Sequence, residues 1–166
     1  MTIKLSIIIP VFNDERHIER CIRSVLEQDI CANRYEVIVV NDGSYDGTQS
    51  IVERVQGQYK NLILINTENQ KLGAARNTGL KYAIGKFILY VDSDDYLRSN
   101  VLKRLLDEVE NNNLDILFAD YYNQEDASEE ITKNLSYERN NSIIQSGIDF
   151  IKTNEIYWVA WLCVYR

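Results

Sequence analysis

Along the first hundred residues, short and almost unbroken apolar runs alternate with stretches in which apolar positions return every three or four residues. Runs of the first kind lie at Leu5 to Ile9, Tyr35 to Val40, Leu62 to Ile65 and Phe87 to Val91. They predict β-strands covered on both faces, because a strand with one wet face would alternate apolar and polar side chains. Ile116 to Ala119 predicts a fifth. Between them, Ile18, Cys21, Ile22, Val25 and Leu26 form one helical stripe. Ile51, Val52, Val55 and Tyr59 predict a second helix, and Leu102, Leu105, Leu106 and Val109 a third, ended by Asn111 to Asn113. Strand and helix in alternation predict an α/β fold: a mostly parallel sheet with helices on both faces, a three-layer sandwich.

After Tyr121 the pattern fades into NQEDASEEITKN, which reads as an exposed acidic loop or insertion. Ser146 is placed to cap a short helix carrying Ile148, Phe150 and Ile151. The chain then runs into YWVAWLCVYR, an apolar tract that would be sticky without packing partners. No repeat or linker divides the sequence, so residues 1–166 are expected to form a single domain.

The composition, 45% hydrophobic and 26% charged with one proline, is that of a globular protein. A net charge of −7 weighs against a nucleic-acid partner, which needs Lys and Arg to neutralise phosphates. An anionic ligand would need local help. The opening MTIKLSIIIPVFNDE has proline and acidic residues too early for a secretory leader, and no run reaches the roughly 18 apolar residues of a membrane span. Cys21, Cys31 and Cys163 form no Cys-x-x-Cys pair and suit buried thiols in a reducing cytoplasm. His17, the sole histidine, excludes a histidine-rich metal site and is expected on the exposed side of the first helix.

Three polar clusters, PVFNDE, NDGSYDGT and DSDD, directly follow the first, second and fourth strands. All therefore sit at carboxyl ends, where open α/β sheets bind ligands. Pro10 is expected to close the first strand. Asn13 and Asp14 suit either a ligand contact or a helix N-cap. Gly43 and Gly47 allow a tight turn presenting Asp42 and Ser44 to a ribose or base. If extended geometry persists, Asp92 and Asp94 point the same way and could grip a hard divalent ion, which would relieve their repulsion with Asp95; an exposed turn capping the next helix is the alternative. Gly73 and Gly79 allow close backbone approach, and Lys71 or Arg76 could meet a phosphate, although Lys71 equally suits plain solvation. Neither a Walker loop nor a G-x-G-x-x-G fingerprint is present.

With those residues in place, SIIIPVFND, EVIVVNDGSYDGT, NQKLGAARNTGLKYAIGKFI and LYVDSDDYL together resemble, in order, the motifs of the family 2 glycosyltransferases of the GT-A (Rossmann-like) fold. The resemblance covers roughly residues 4 to 97. It implies an inverting transfer from a nucleoside-diphosphate sugar, UDP by default, to a hydroxyl of a glycan or lipid-linked acceptor in bacterial surface polysaccharide synthesis. It also implies Mn2+ or Mg2+ as cofactor and peripheral association with the inner face of the membrane.

The same resemblance implies roles by position. Pro10, Phe12, Asn13 and Glu15 would line the nucleoside pocket, Asp42 would contact base or ribose, and Ser44, Gly73 and Arg76 would lie at the donor. Asp92 would approach ribose or metal-bound water and share the metal with Asp94. Asn41 departs from the aspartate common among relatives, which leaves Asp42 as the expected contact. Relatives continue past an element like Trp161 to Arg166 into acceptor-binding sequence, so the catalytic base is expected beyond Arg166. A donor-binding module without transfer activity and a receiver-type signalling domain are the competing readings.

Overall fold

The computed structural model describes residues 2–119, 122–124, 131–133, 144, 146 and 163–166. Its elements run β1 (Leu5–Val11), α1 (Ile18–Leu26), β2 (Tyr35–Asn41), α2 (Thr48–Gln56), β3 (Leu62–Asn66), α3 (Leu72–Tyr82), β4 (Phe87–Tyr90), α4 (Leu102–Asn111), β5 (Ile116–Phe118), β6 (Tyr122–Gln124), β7 (Ile131–Lys133) and β8 (Cys163–Tyr165). Six strands form one sheet in the order β3-β2-β1-β4-β8-β5. β1, β2, β3 and β4 are mutually parallel, and β8 runs antiparallel to both β4 and β5. The chain thus moves outward from β1 to β3 and then crosses back to place β4 on the other side of β1. That reversal puts a topological switch point at the carboxyl ends of β1 and β4.

Every residue of β1 and β2 is buried, as expected of strands covered on both faces. On one face Ile7, Ile9, Val37 and Val39 share a core with the stripe of α1, with Val52 and Val55 of α2 and with Leu102, Leu106 and Val109 of α4. On the other, Ile8, Ile38 and Val40 pack with Ala75 of α3. A Cβ at Gly79 would lie 2.4 Å from Ile8 Cγ2, so the glycine lets α3 settle directly on the strands.

Pro10 does not close β1, which continues to Val11. Ile8 directs its carbonyl to Val91 N and Val11 its carbonyl to Asp42 N, so by alternation Pro10 faces the β4 side. The β1–β4 pairing has already ended at Ile8 and Tyr90, and the missing N–H breaks no ladder bond. The acidic segment is not wholly the loop expected, since β6 and β7 pair antiparallel. Cys21 and Cys163 are buried, but Cys31 is exposed on the connection into β2, contrary to the expectation for all three. The helix expected at Ile148 to Ile151, and Trp161 with the start of the terminal tract, lie outside the described residues.

Glu19 clamps α1 to α2, its carboxylate meeting Arg54 Nη2 at 2.6 Å and Arg23 Nε at 3.0 Å. Hydrogen bonds from Arg54 and then Arg23 pull its pKa from the usual 4.5 to about 2. A depressed carboxylate stabilises the fold above the unfolded value and loses that contribution as pH falls through the folded one. The side chain is about one-third exposed, so hydration limits the effect to about 1 kcal/mol rather than the full value of the shift. Glu19→Gln is expected to lower stability by that amount at pH 7. Urea titrations should show the gap to wild type closing between pH 4.5 and pH 2.

Candidate functional site at the switch point

Four connections meet at the carboxyl edge of the sheet: residues 12–17 after β1, 42–47 after β2, 67–71 after β3 and 91–97 after β4. The first two are joined by reciprocal bonds. Asn13 N donates to Ser44 Oγ at 2.9 Å, and Tyr45 N donates to Asn13 Oδ1 at 2.9 Å. Asp14 N donates to Thr48 Oγ1 at 2.9 Å, Glu15 N to Asp46 Oδ2 at 3.2 Å, and Gly47 N to Glu15 Oε2 at 2.7 Å. Asn13 holds a left-handed φ of 51°, which Asn tolerates better than most residues, and Gly43 holds φ 77°. Gly47 does not need its conformational freedom, since its φ is −70°.

Asp42 is buried, and its carboxylate accepts from Gln70 N at 2.9 Å, Lys71 N at 2.8 Å and Thr67 Oγ1 at 3.3 Å. It therefore shapes the 67–71 connection from within the chain. Asn41 completes the join, donating from Nδ2 to Asn66 Oδ1 at 2.8 Å and accepting from Ser44 N at 3.1 Å. Lys71, the residue before α3, has φ 76° and ψ 160°, a region that only glycine enters freely. Strain there costs on the order of 1–3 kcal/mol. Lys71→Gly is expected to raise stability by about 1 kcal/mol after the entropic cost of glycine, seen as a melting point about 2–4 °C higher. Around Gly73 a Cβ would meet nothing within 4 Å, so that glycine makes no close approach within the chain.

Extended geometry does not persist through the acidic cluster. β4 ends at Tyr90, and Asp95 N donates to Asp92 O at 3.1 Å, closing a turn. Asp92 Oδ1 meets Arg76 Nη2 at 2.6 Å, and Ser93 Oγ donates to Asp14 Oδ2 at 2.7 Å. From α1, Arg20 Nη2 donates to Asp94 O at 3.3 Å and Cys21 Sγ contacts Asp92 O at 3.5 Å. Burial pushes the Cys21 thiol up, and the negative charges of Asp95, Asp14, Asp94 and Asp92 push it further. The Asp95 carboxyl is itself raised, by the protein packed around it and then by Asp94 and Asp92. Solvent reaches Asp95 and weakens both contributions.

Pro10 therefore lies one residue inside the rim, while Phe12, Asn13, Glu15, Asp42, Ser44, Asp92 and Asp94 stand on the connections, and Arg76 reaches Asp92 from the first turns of α3. Phe12 is 45% exposed and makes an edge contact with Tyr45, ring centroids 6.0 Å apart. Tyr45, Thr48, Asp46 and Arg20 also build the rim, though their residue types alone carried no signal beyond turn and helix. Asp14 proves not to be an N-cap. His17 occupies that position without a side-chain cap bond, half-buried rather than exposed, with Nδ1 2.6 Å from Asp14 Oδ1. The Nε of Arg76 is buried with no hydrogen-bond partner among the described residues. No trio of His, Cys, Asp or Glu forms a ready metal cage among the described residues. No helix among them is long and apolar enough to cross a membrane.

A 3-2-1-4 parallel sheet extended by an antiparallel strand, with an acidic turn at its switch point, is the α/β frame of the GT-A glycosyltransferases. The chain belongs to glycosyl transferase family 2, whose profile matches residues 6–165. This membership sets aside the receiver-domain reading. Glycosyltransferase EpsJ of Bacillus subtilis (strain 168) is 34% identical over 165 residues, covering 98% of this chain and 47% of that protein. Among solved structures, S. aureus TarS 1–349 in complex with UDP superposes with a TM-score of 0.67 at 36% identity, covering 71% of this chain and 35% of that 1–349 chain. The mannosyltransferase PcManGT of Pyrobaculum calidifontis, in complex with GDP-Man and Mn2+, gives a TM-score of 0.59 at 29% identity, covering 66% of this chain and 32% of that one. The chain spans less than half the length of these relatives.

Proposed function

We propose that residues 1–166 form the donor-binding part of a metal-dependent, inverting glycosyltransferase. The whole protein would move a sugar from a nucleoside-diphosphate sugar to a hydroxyl of a glycan or lipid-linked acceptor in cell-surface polysaccharide synthesis, at the cytoplasmic face of the membrane. The observation that carries this reading is the acidic Asp92–Asp95 turn at the switch point, held against the joined 12–17 and 42–47 connections by the bond from Ser93 Oγ to Asp14 Oδ2 at 2.7 Å. TarS bound to UDP and UDP-GlcNAc, and PcManGT bound to GDP-Man and Mn2+, support a nucleotide-sugar donor and a divalent ion.

The crowded carboxylates fit a hard cation that needs only one or two protein ligands and completes its shell with diphosphate oxygens and water. Asp94, exposed and with no side-chain partner among the described residues, would hold it, with Asp92 assisting from its pair with Arg76. Bound there, the ion would offset the developing charge on the departing diphosphate. Phe12 offers an exposed ring face for the base, Asn13 and Glu15 fix the connection that presents it, and Asp42 fixes the opposite wall. Ser44 and Gly73 would line the nucleoside side of the donor, and Arg76, paired with Asp92, would stand behind the metal-holding carboxylate. The acceptor site and the general base would come from the sequence by which relatives exceed this stretch.

A thermal-shift panel of UDP, GDP, ADP and CDP, each with Mn2+ or with chelator, tests the reading. A nucleotide at 100 times its dissociation constant adds about 2.7 kcal/mol, or roughly 5–11 °C for a chain of this size. No shift for any nucleotide with Mn2+ would remove the donor site. Acceptor glycosylation by these 166 residues alone would instead show that the base is already present, and its absence beside donor binding would mark a binding module.

A further inference from the structure

We propose that Asp14 is a positioning residue that sets the acidic turn in place before the divalent ion and donor arrive; this rests on the function proposed above. Its carboxylate is largely enclosed, 15% exposed, and both oxygens are engaged. Oδ1 faces His17 Nδ1 at 2.6 Å, and Oδ2 accepts from Ser93 Oγ at 2.7 Å. Its own amide donates to Thr48 Oγ1 at 2.9 Å, at the start of α2. One residue thus ties the connection after β1 to those after β2 and β4.

Ser93 lies between Asp92 and Asp94, the two carboxylates proposed to hold the ion. A hydroxyl bonded to a carboxylate is a short, charge-assisted contact that resists rotation. Anchoring the middle residue of the turn fixes the directions of its two neighbours. Through Ser93, Asp14 is joined to a turn that already carries Asp92, Asp94 and Asp95. The Asp14 carbonyl accepts from Ile18 N at 3.1 Å, but its carboxylate bonds no helix amide and is taken up by His17 and Ser93 instead. The enclosing His17 turns the carboxylate toward Ser93, which presets the metal turn. Groups that orient metal ligands from behind typically change metal affinity by about 10- to 100-fold when removed.

The test is UDP binding by calorimetry, in Mn2+ and in chelator, for wild type, Asp14→Ala, Ser93→Ala, the double variant and Asp14→Asn. Each alanine variant is expected to bind UDP about 10-fold more weakly in Mn2+, with metal-free affinity within about two-fold of wild type. The double variant should be no weaker than either single one, because both remove the same contact. Asp14→Asn, which keeps an acceptor for Ser93, should recover most of the loss. Wild-type affinity in the alanine variants, an equal loss with and without Mn2+, or losses that multiply in the double variant would each overturn the role of Asp14. Should Asp14→Ala fail to fold, Ser93→Ala carries the comparison alone. A wild-type chain that binds no nucleotide with Mn2+ overturns the proposed function itself, and Asp14's role with it.

Discussion

Replacing Asp94 by alanine is expected to abolish the Mn2+-dependent part of UDP binding while leaving the unliganded melting point almost unchanged. Asp94 is exposed, and the turn holds it through its backbone carbonyl, which the substitution keeps. Loss of an exposed side chain away from the core changes stability by about 0.5 kcal/mol at most. The ligand-induced gain of about 2.7 kcal/mol at 100 times the wild-type dissociation constant should fall to that seen with chelator. Asp92→Ala separates from it clearly. That change also strands Arg76, whose Nε already has no partner among the described residues, so it should lower the unliganded melting point as well. A pair of thermal-shift curves, with and without UDP and Mn2+, distinguishes the two. Unaltered Mn2+ dependence in Asp94→Ala would remove that residue from the metal site.

The second large effect lies at the opposite end of the sheet. Glu36 is only 5% exposed within β2, and its Oε1 accepts from Ser6 Oγ at 2.5 Å and from Ile84 N at 2.8 Å. Ser6 Oγ in turn accepts from Gly85 N at 2.8 Å. This chain of bonds pins the turn that feeds β4 to the amino-terminal ends of β1 and β2. Glu36→Ala leaves the buried Ser6 hydroxyl without its acceptor, a loss of about 1–3 kcal/mol, and the part-buried Ile84 amide adds a smaller amount. A loss of about 3 kcal/mol is expected by urea unfolding, with Glu36→Gln much milder because an amide oxygen can still accept. Equal stability of Glu36→Ala and wild type would mean that water replaces the carboxylate.

The frame was legible because its signals are local. Four continuous apolar runs located β1 to β4 within a residue or two, and the helical stripes of α1 and α4 supplied the same residues that the core buries. Clusters directly after strands could be placed on one rim from the chain's alternation alone. What escaped depends on contacts between distant residues. Cys163–Tyr165 gave no sign that it inserts antiparallel between β4 and β5, because its partners lie far back in the sequence. The turn at Asp92–Asp95 overrode strand alternation through a single backbone bond. Ser6 and Glu36 interrupt apolar runs, yet only the fold reveals that they face each other. Asp14 looked like a cap because aspartate before a helix commonly is one.

The antiparallel insertion of β8 also imposes an order on assembly. β1 to β4 can pair as soon as they leave the ribosome, whereas among the described residues the neighbour of β5 in the sheet is Cys163–Tyr165, which emerges last and bridges it to β4. At translation speeds of about 5–20 residues per second, the outer edge of β4 waits a matter of seconds for β8, its partner there among the described residues. During that interval it offers unpaired amides and carbonyls to any extended segment nearby. A nascent chain halted in this window would be the species most prone to edge-to-edge association, and the one with most reason to engage a chaperone.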